Sequence, residues 1–181
     1  MSSPLPTGDS NGRQVATGCA NQKSKCDSAG SSIPGYREWW YSYDFTLPAA
    51  CSSWRFSVNV AVRNASDNIQ GLPNFYVETF LNSVAAPGNS SPVFSVKPVP
   101  YVCLNQPYNY NNGGVDPNGD SIAFEVLTPL TGSCTSPTNS TYQSASPAYS
   151  IPTNPFQTNN TFSINSLTGE LSFTPALQGS H

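Results

Sequence analysis

The sequence carries little charge, and this excludes one class of partner. Only 9% of its 181 residues are Asp, Glu, Lys or Arg, the net charge is −3, and seven residues are basic. About a quarter is usual for globular proteins. Binding along a nucleic-acid backbone requires a cluster of Lys and Arg side chains. No such cluster occurs in this sequence, so we exclude nucleic acid as a partner.

Long apolar runs are also missing. No stretch approaches the roughly 18 apolar residues that indicate a membrane-spanning helix, so we predict no membrane span. Residues 1–12 are polar and contain Pro and Gly, without the basic start and apolar core of a signal peptide. We therefore expect a mature or recombinant fragment of an exported protein, located outside the cell or at its surface.

Histidine is almost absent, which limits both catalysis and zinc binding. His181 is the single histidine, and no Cys-x-x-Cys motif occurs. A Ser–His–Asp triad and most zinc sites are therefore excluded. A carboxylate pair for glycoside hydrolysis stays open, drawn from Glu38, Asp44, Glu78 and Glu125. Carboxylates on strands are usually solvated, so we predict that the protein is not an enzyme.

Five cysteines favour disulfides, in agreement with export. We predict Cys19–Cys26, which closes a local loop, and Cys103–Cys134, which lies within the second half of the chain. Cys51 is then left over or pairs with Cys26 instead. Reduced, buried thiols are the alternative.

Aromatic residues make up 12% of the chain and fall in short runs that alternate with polar residues. Such alternation predicts β-strands, and no segment has the apolar period of a helix. We predict strands over 39–47, 54–63, 74–81 and 122–127, and a hairpin formed by 161–164 and 170–173. The polar, proline-containing residues 131–160 predict a long surface loop with at most one short strand, around 149–151. The fold class is all-β, a sandwich or a barrel.

A stretch rich in Pro, Gly, Ser and Asn over residues 85–92 separates two strand-forming regions. We therefore predict a loop-rich, extended segment over 1–35, a first β-sandwich domain over 36–92 and a second over 93–181.

Two motifs in the second half resemble those of known surface proteins. Residues 116–120 read DPNGD before a predicted strand, and residues 162–175 read FSINSLTGELSFTP. This pair is similar to the signature of cadherin-like and Ig-like domains of bacterial surface proteins. The segments LPAACSSW (47–54), RNA (63–65) and NSSPVF (89–94) also resemble giant gliding-motility and related type IX-secreted adhesins of Bacteroidota.

The resemblance implies two tandem Ig-like or cadherin-like β-sandwiches in an adhesin. Its partners would be a surface glycan or protein and the neighbouring domains of the same protein. The family domain continues past the Thr-Pro hairpin, which implies that the second sandwich lacks its last strand. An exposed edge invites strand addition, so we expect homo-association. The family has cysteine where Val62 stands, which leaves Cys51 without its obvious partner.

The DPNGD motif offers a candidate metal site. Asp116, Asn118 and Asp120 place oxygen-bearing side chains at alternate positions, with Gly119 allowing a tight turn. Ca²⁺ prefers many oxygen ligands in flexible geometry. We predict a Ca²⁺ site; the alternative is a turn in which the carboxylates bind local N–H groups.

Trp40 is the candidate ligand-binding residue, with Tyr36 and Tyr76 as neighbours. It lies on the polar face of its predicted strand, and an exposed ring can stack on a sugar or anchor a protein. The alternative is a ring covered by loops. The sequence thus favours an adhesin fragment; the alternatives are a carbohydrate-binding module of a polysaccharide-degrading enzyme and a structural subunit that exchanges strands.

Overall fold

The computed structural model describes residues 12–15, 23–33, 35–97 and 101–178, and these residues form β-strands and no helix. The predicted all-β class is confirmed. The described residues also contain no helix long and apolar enough to cross a membrane. Contacts within the chain divide it into two compact units, one ending at Ala49 and the other beginning at Ala50.

The first unit contains a short ribbon and a polar turn. Strand β1 (Arg13–Val15) pairs antiparallel with β2 (Tyr36–Glu38). In the intervening segment, the N–H of Ser24 donates to Oδ2 of Asp27 at 3.0 Å, and Ser24 Oγ accepts from the N–H of Cys26 at 3.1 Å. Ser24 is buried. Side-chain-to-backbone hydrogen bonds of this kind fix a loop locally where no ladder forms.

The second unit contains the remaining strands. In chain order they are β3 (Trp54–Val60), β4 (Phe75–Leu81), β5 (Val93–Phe94), β6 (Tyr108–Tyr110), β7 (Gly114–Val115), β8 (Leu130–Ser133), β9 (Ser136–Asn139), β10 (Ser163–Ile164) and β11 (Leu171–Phe173). They form three antiparallel sheets with the orders β3-β4-β8-β9, β10-β11-β6 and β5-β7.

The β3–β4 pair confirms two predicted strands, and the one buried residue of β4, Tyr76, lies on the face opposite to Phe75, Val77, Thr79 and Leu81. Its register runs from Trp54↔Leu81 to Val60↔Phe75. The expected inward residue Val77 is 45% exposed, whereas Tyr76 is 2% exposed. Tyr76 is the β4 residue that pairs with Leu130 of β8. Tyr76 is therefore buried where the β8–β9 hairpin attaches to β4. The alternation within β4 does not show where this hairpin attaches.

Aromatic rings form the core beside the β10-β11-β6 sheet. The Phe156 ring meets those of Phe162 and Phe173 edge to face, with centroids 5.5 and 4.9 Å apart. Tyr108 of β6 lies 5.5 Å from Phe173 of β11 between ring centroids. Edge-to-face pairs are the arrangement that aromatic quadrupoles favour. The predicted hairpin, now β10 and β11, therefore supplies part of this core.

Two predicted strands do not join a ladder. Residues 39–47 are irregular; of the alternating apolar side chains, Trp39, Tyr41, Tyr43 and Phe45 are exposed and Leu47 is half-buried. Residues 122–127 keep the predicted alternation, with Ile122, Phe124 and Val126 half-buried, but within the described part of the chain they belong to no sheet. Alternation predicts an extended backbone; it does not supply the neighbouring strand that a ladder requires.

The prediction that residues 131–160 form a surface loop is wrong. Its first part forms the β8–β9 hairpin, and Asn154 and Thr158 are fully buried. The Asn154 Nδ2 donates to the Ala148 carbonyl at 2.9 Å, and its Oδ1 accepts from the Thr158 N–H at 3.1 Å. These polar side chains are buried because their hydrogen bonds are satisfied inside the protein.

The units differ from the predicted domains over 1–35, 36–92 and 93–181. The division lies at Ala49 and Ala50, and β4 pairs with β8 across the predicted boundary at residue 92. The finer prediction, two tandem Ig-like or cadherin-like sandwiches with an incomplete second one, stays a prediction.

Candidate functional site

An exposed aromatic segment follows β2 in the first unit. Strand β2 ends at Glu38, and Trp40 and Tyr41 are 75% and 68% exposed. Trp39 is more restricted, because a Cβ on Gly12 would lie 2.5 Å from its indole ring. Trp39 thus packs against the Gly12 backbone, while its neighbour Trp40 stands in solvent, as predicted for a contact residue.

The same segment continues with two further exposed rings. Tyr43 and Phe45 stack with centroids 5.9 Å apart and an interplanar angle of 21°, and both are more than half exposed. We call residues 39–45 the aromatic segment. Rings exposed in a row are suited to contact with a sugar face or an apolar protein surface.

The two predicted neighbours of Trp40 have different environments. Tyr36 lies in β2 of the first unit and is 42% exposed. Tyr76 is buried in β4, where its hydroxyl donates to Oε2 of Glu78 at 2.6 Å. That hydrogen bond, and then burial, raise the pKa of Tyr76 above its ordinary value. Tyr76 is therefore a structural residue, and its prediction as a ligand contact is corrected.

The DPNGD motif adopts an Asx-type turn. Oδ1 of Asp116 accepts from the N–H groups of Asn118 and Asp120 at 2.8 and 3.2 Å, and Asn118 Oδ1 accepts from the N–H of Ser90 at 2.7 Å. Gly119 has a φ of +83°. These bonds correspond to the alternative considered for this motif. Among the described residues, no three His, Cys, Asp or Glu side chains group as metal ligands; the Ca²⁺ site stays a prediction.

The predicted Cys103–Cys134 disulfide is not formed. Both cysteines are free and exposed, and Cys26 and Cys51 are free as well. Cys134 lies in the β8–β9 turn, where its carbonyl accepts from Arg55 at 2.8 Å, whereas Cys103 precedes β6 in a turn whose Asn105 N–H donates to the Pro175 carbonyl. The two cysteines thus lie in separate turns, one between β8 and β9 and the other before β6. Cys19, the predicted partner of Cys26, lies outside the described residues.

A cavity of about 530 Å³ lies within the second unit. Aromatic residues form much of its wall: Phe94, Phe124, Tyr142, Phe156 and Phe162. Its volume falls within the range of about 300–1,000 Å³ that small-molecule sites occupy. The sequence does not reveal this cavity, because its wall combines segments that are far apart along the chain. These are β5, β10, residues 124–129 and the stretch that was expected to be a surface loop.

The polar groups of the cavity are few. Glu125 and Asn68 contribute to its wall, and Asn68 is buried. The Asn68 Nδ2 donates to the Pro155 carbonyl at 3.0 Å, while its Oδ1 has no hydrogen-bond partner. Burial raises the pKa of the Tyr142 phenol above its ordinary value. This arrangement can hold a molecule by noncovalent contacts.

Comparison with known proteins adds no relative to these observations. No protein family model, curated protein or solved structure matches the chain.

Proposed function

We propose that the chain is a non-enzymatic adhesive fragment of a secreted, cell-surface protein. The exposed aromatic segment carries this proposal: Trp40 and Tyr41 are 75% and 68% exposed in a backbone that forms no ladder. Large rings in solvent are costly unless they contact another molecule, and contiguous exposed apolar surface marks interaction sites. Binding residues are also concentrated in loops held by a more rigid scaffold.

The resemblance to cadherin-like and Ig-like adhesin domains supports the same function. The DPNGD turn and the TG-containing hairpin are the two motifs of that resemblance, and both occur as a turn and a hairpin in the second unit. In this proposal the sheets act as spacers in a long filamentous protein of the type IX-secreted, gliding-motility type, and the aromatic segment contacts a surface glycan or protein.

Retention of the purified chain on glycan-coated and protein-coated surfaces tests the proposal. The double variant Trp40→Ala with Tyr41→Ala removes the two most exposed rings of the segment, and we expect it to reduce retention at least about tenfold, as for interface residues worth more than about 1.4 kcal/mol. Leu167→Ala is the matched control, since Leu167 is an apolar residue 80% exposed in the second unit.

Circular dichroism and thermal unfolding of each variant would show that the fold is kept. Retention of the double variant at the wild-type level would contradict the proposal, and so would the absence of wild-type binding to every surface.

A carbohydrate-binding module is the second candidate, favoured by the stacked Tyr43 and Phe45 rings. Parallel aromatic faces can receive the apolar C–H face of a pyranose. A soluble oligosaccharide that competes for the surface, with an affinity lost in Trp40→Ala, would favour this function. Binding that protein-coated surfaces retain in the presence of every oligosaccharide would favour the adhesin.

A further inference from the structure

The wall of the cavity in the second unit is rich in π-electron surface. Five aromatic residues contribute to it, namely Phe94, Phe124, Tyr142, Phe156 and Phe162. The face of an aromatic ring carries negative charge density and attracts cations at close range. An apolar body would also lose contact with water on entering such a cavity. The wall therefore suits a ligand that combines apolar surface with positive charge.

Four polar side chains line the cavity, namely Asn68, Asn112, Glu125 and Tyr142, and Glu125 is the charged one. Glu125 brings a carboxylate to the wall, and no salt bridge to it occurs among the described residues. Asn68 is buried, with 7% of its surface exposed. Its Oδ1 has no hydrogen-bond partner, whereas its Nδ2 donates to the Pro155 carbonyl. A buried acceptor without a partner favours a ligand that brings an N–H or O–H donor.

No basic side chain of the second unit lines the cavity. Residues 101–181 contain four carboxylates, Asp116, Asp120, Glu125 and Glu170, and no Lys or Arg. The two arginines of the unit are engaged elsewhere. Arg55 forms a salt bridge with Glu78 at 3.9 Å, and the Arg63 guanidinium lies 4.9 Å from the Phe75 ring centroid. Lys97, the remaining basic residue of the unit, does not line the cavity either. An anionic ligand would therefore meet the Glu125 carboxylate without a basic side chain in the wall.

We infer that the cavity binds an organic cation, an ammonium or guanidinium group attached to an apolar body. Its charge would lie beside Glu125 and the aromatic rings. This site lies in the second unit and is independent of the aromatic segment, so either proposal can fail alone.

The test compares probes of the same shape and different charge. Phenyltrimethylammonium and tert-butylbenzene differ by a positively charged nitrogen in place of a carbon, and benzoate supplies a negative charge on a similar ring. Ligand-detected NMR and isothermal titration calorimetry would measure their affinities for the full chain. We expect the cation to bind about tenfold more tightly than its neutral analogue, the scale of a partly desolvated cation–π contact.

Two variants locate the binding. Glu125→Gln removes the charge of an exposed side chain while keeping its shape, and Phe94→Leu removes a ring that is 65% exposed while keeping an apolar residue. We expect each to weaken binding of the cation about threefold to tenfold and to leave tert-butylbenzene nearly unaffected after Glu125→Gln. Glu170→Gln is the matched control, since Glu170 is an exposed carboxylate of the same unit outside the cavity wall.

Preference for the cation that depends on Glu125 and Phe94 supports the inference. Equal or tighter binding of tert-butylbenzene would overturn it, because the cavity would then select for apolar surface alone. Preferred binding of benzoate, no binding of any probe, or equal losses in Glu125→Gln and Glu170→Gln would overturn it as well.

Discussion

Single side chains decide which face of the β3–β4 pair is inside. Tyr76 is buried, donates to Glu78, and lies in register with Asn59 across the pair. Glu78 also forms a salt bridge with Arg55 at 3.9 Å. A polar network that satisfies its donors and acceptors can occupy an inner face. The valines on the other face are left about half exposed, contrary to the simplest reading of the alternation.

Tyr76→Phe is expected to lower the thermal stability at neutral pH, because it removes the hydroxyl that donates to Glu78. The folded-state pKa of Tyr76 is raised above 10.0, so its contribution is complete below that pH and is lost as the pH rises through the folded-state pKa. Thermal unfolding from pH 7 to pH 11 should show the two proteins converge at the alkaline end. Tyr41→Phe, at an exposed position, is the control; an unchanged gap at all pH values would contradict the assignment.

Gly169 combines two constraints at one position. Its φ is +72°, and a Cβ there would lie 2.8 Å from the Phe124 ring. Gly119 has a φ of +83° with open space around it. We expect Gly119→Ala to cost about 1 kcal/mol from backbone strain alone and Gly169→Ala about 2–4 kcal/mol, since the ring must also move. Denaturant unfolding measures both; equal losses would show that the Phe124 contact is unimportant.

At the level of elements, the sequence predicted what is local and missed what depends on distant partners. Strands β3 and β4 and the β10–β11 hairpin follow from alternation and turn residues. The segment 39–47 has the same alternation, yet no strand of the described residues pairs with it. Its pattern specifies an extended chain, and pairing depends on segments far away in sequence.

The same limit applies to the candidate sites. The sequence left open whether the Trp40 ring is exposed or covered, and it did not show the burial of Tyr76, which depends on Leu130 of β8. The buried Asn154 lies in a stretch whose polarity predicted a surface loop. Composition cannot show that its amide finds partners in Ala148 and Thr158. The cavity was missed for the same reason.

The turn at 116–120 provides a test of calcium binding that leaves the turn intact. Asp116→Asn keeps the Oδ1 acceptor for the N–H groups of Asn118 and Asp120 but removes the charge. If the turn binds Ca²⁺, we expect millimolar calcium to raise the melting temperature of the wild type and not that of Asp116→Asn. Glu170→Gln should respond like the wild type. No shift in any of the three proteins would exclude the site.

For the whole molecule, the extended segment over residues 122–127 bears on assembly. It joins no sheet within the described residues, although the Phe124 N–H donates to the Ser166 carbonyl at 2.9 Å. An extended backbone with open hydrogen-bonding groups can receive a strand from another molecule. We therefore expect this segment to be the place where the homo-association predicted from the sequence would occur.

Ala123→Pro tests this location, because Ala123 is exposed and its N–H donates to no other described residue. Proline removes that donor and blocks pairing on one side of the segment. Sedimentation velocity at increasing concentration should show self-association of the wild type and of Ala123→Ser, and a shift toward monomer in Ala123→Pro. A monomeric wild type at all concentrations would contradict strand addition.

The three tryptophans differ in solvent exposure, so the intrinsic fluorescence of the protein can report binding at the exposed ones. Trp39 and Trp40 precede Ala50 and are 48% and 75% exposed, whereas Trp54 opens β3 and is half-buried. Indole fluorescence excited at long wavelength should therefore come mostly from water-relaxed, red-shifted emitters in the first unit. Acrylamide would quench the emission of Trp39 and Trp40 first. A blue shift of the emission maximum on binding of another molecule would show that these two indoles, and not that of Trp54 in β3, have been shielded from solvent.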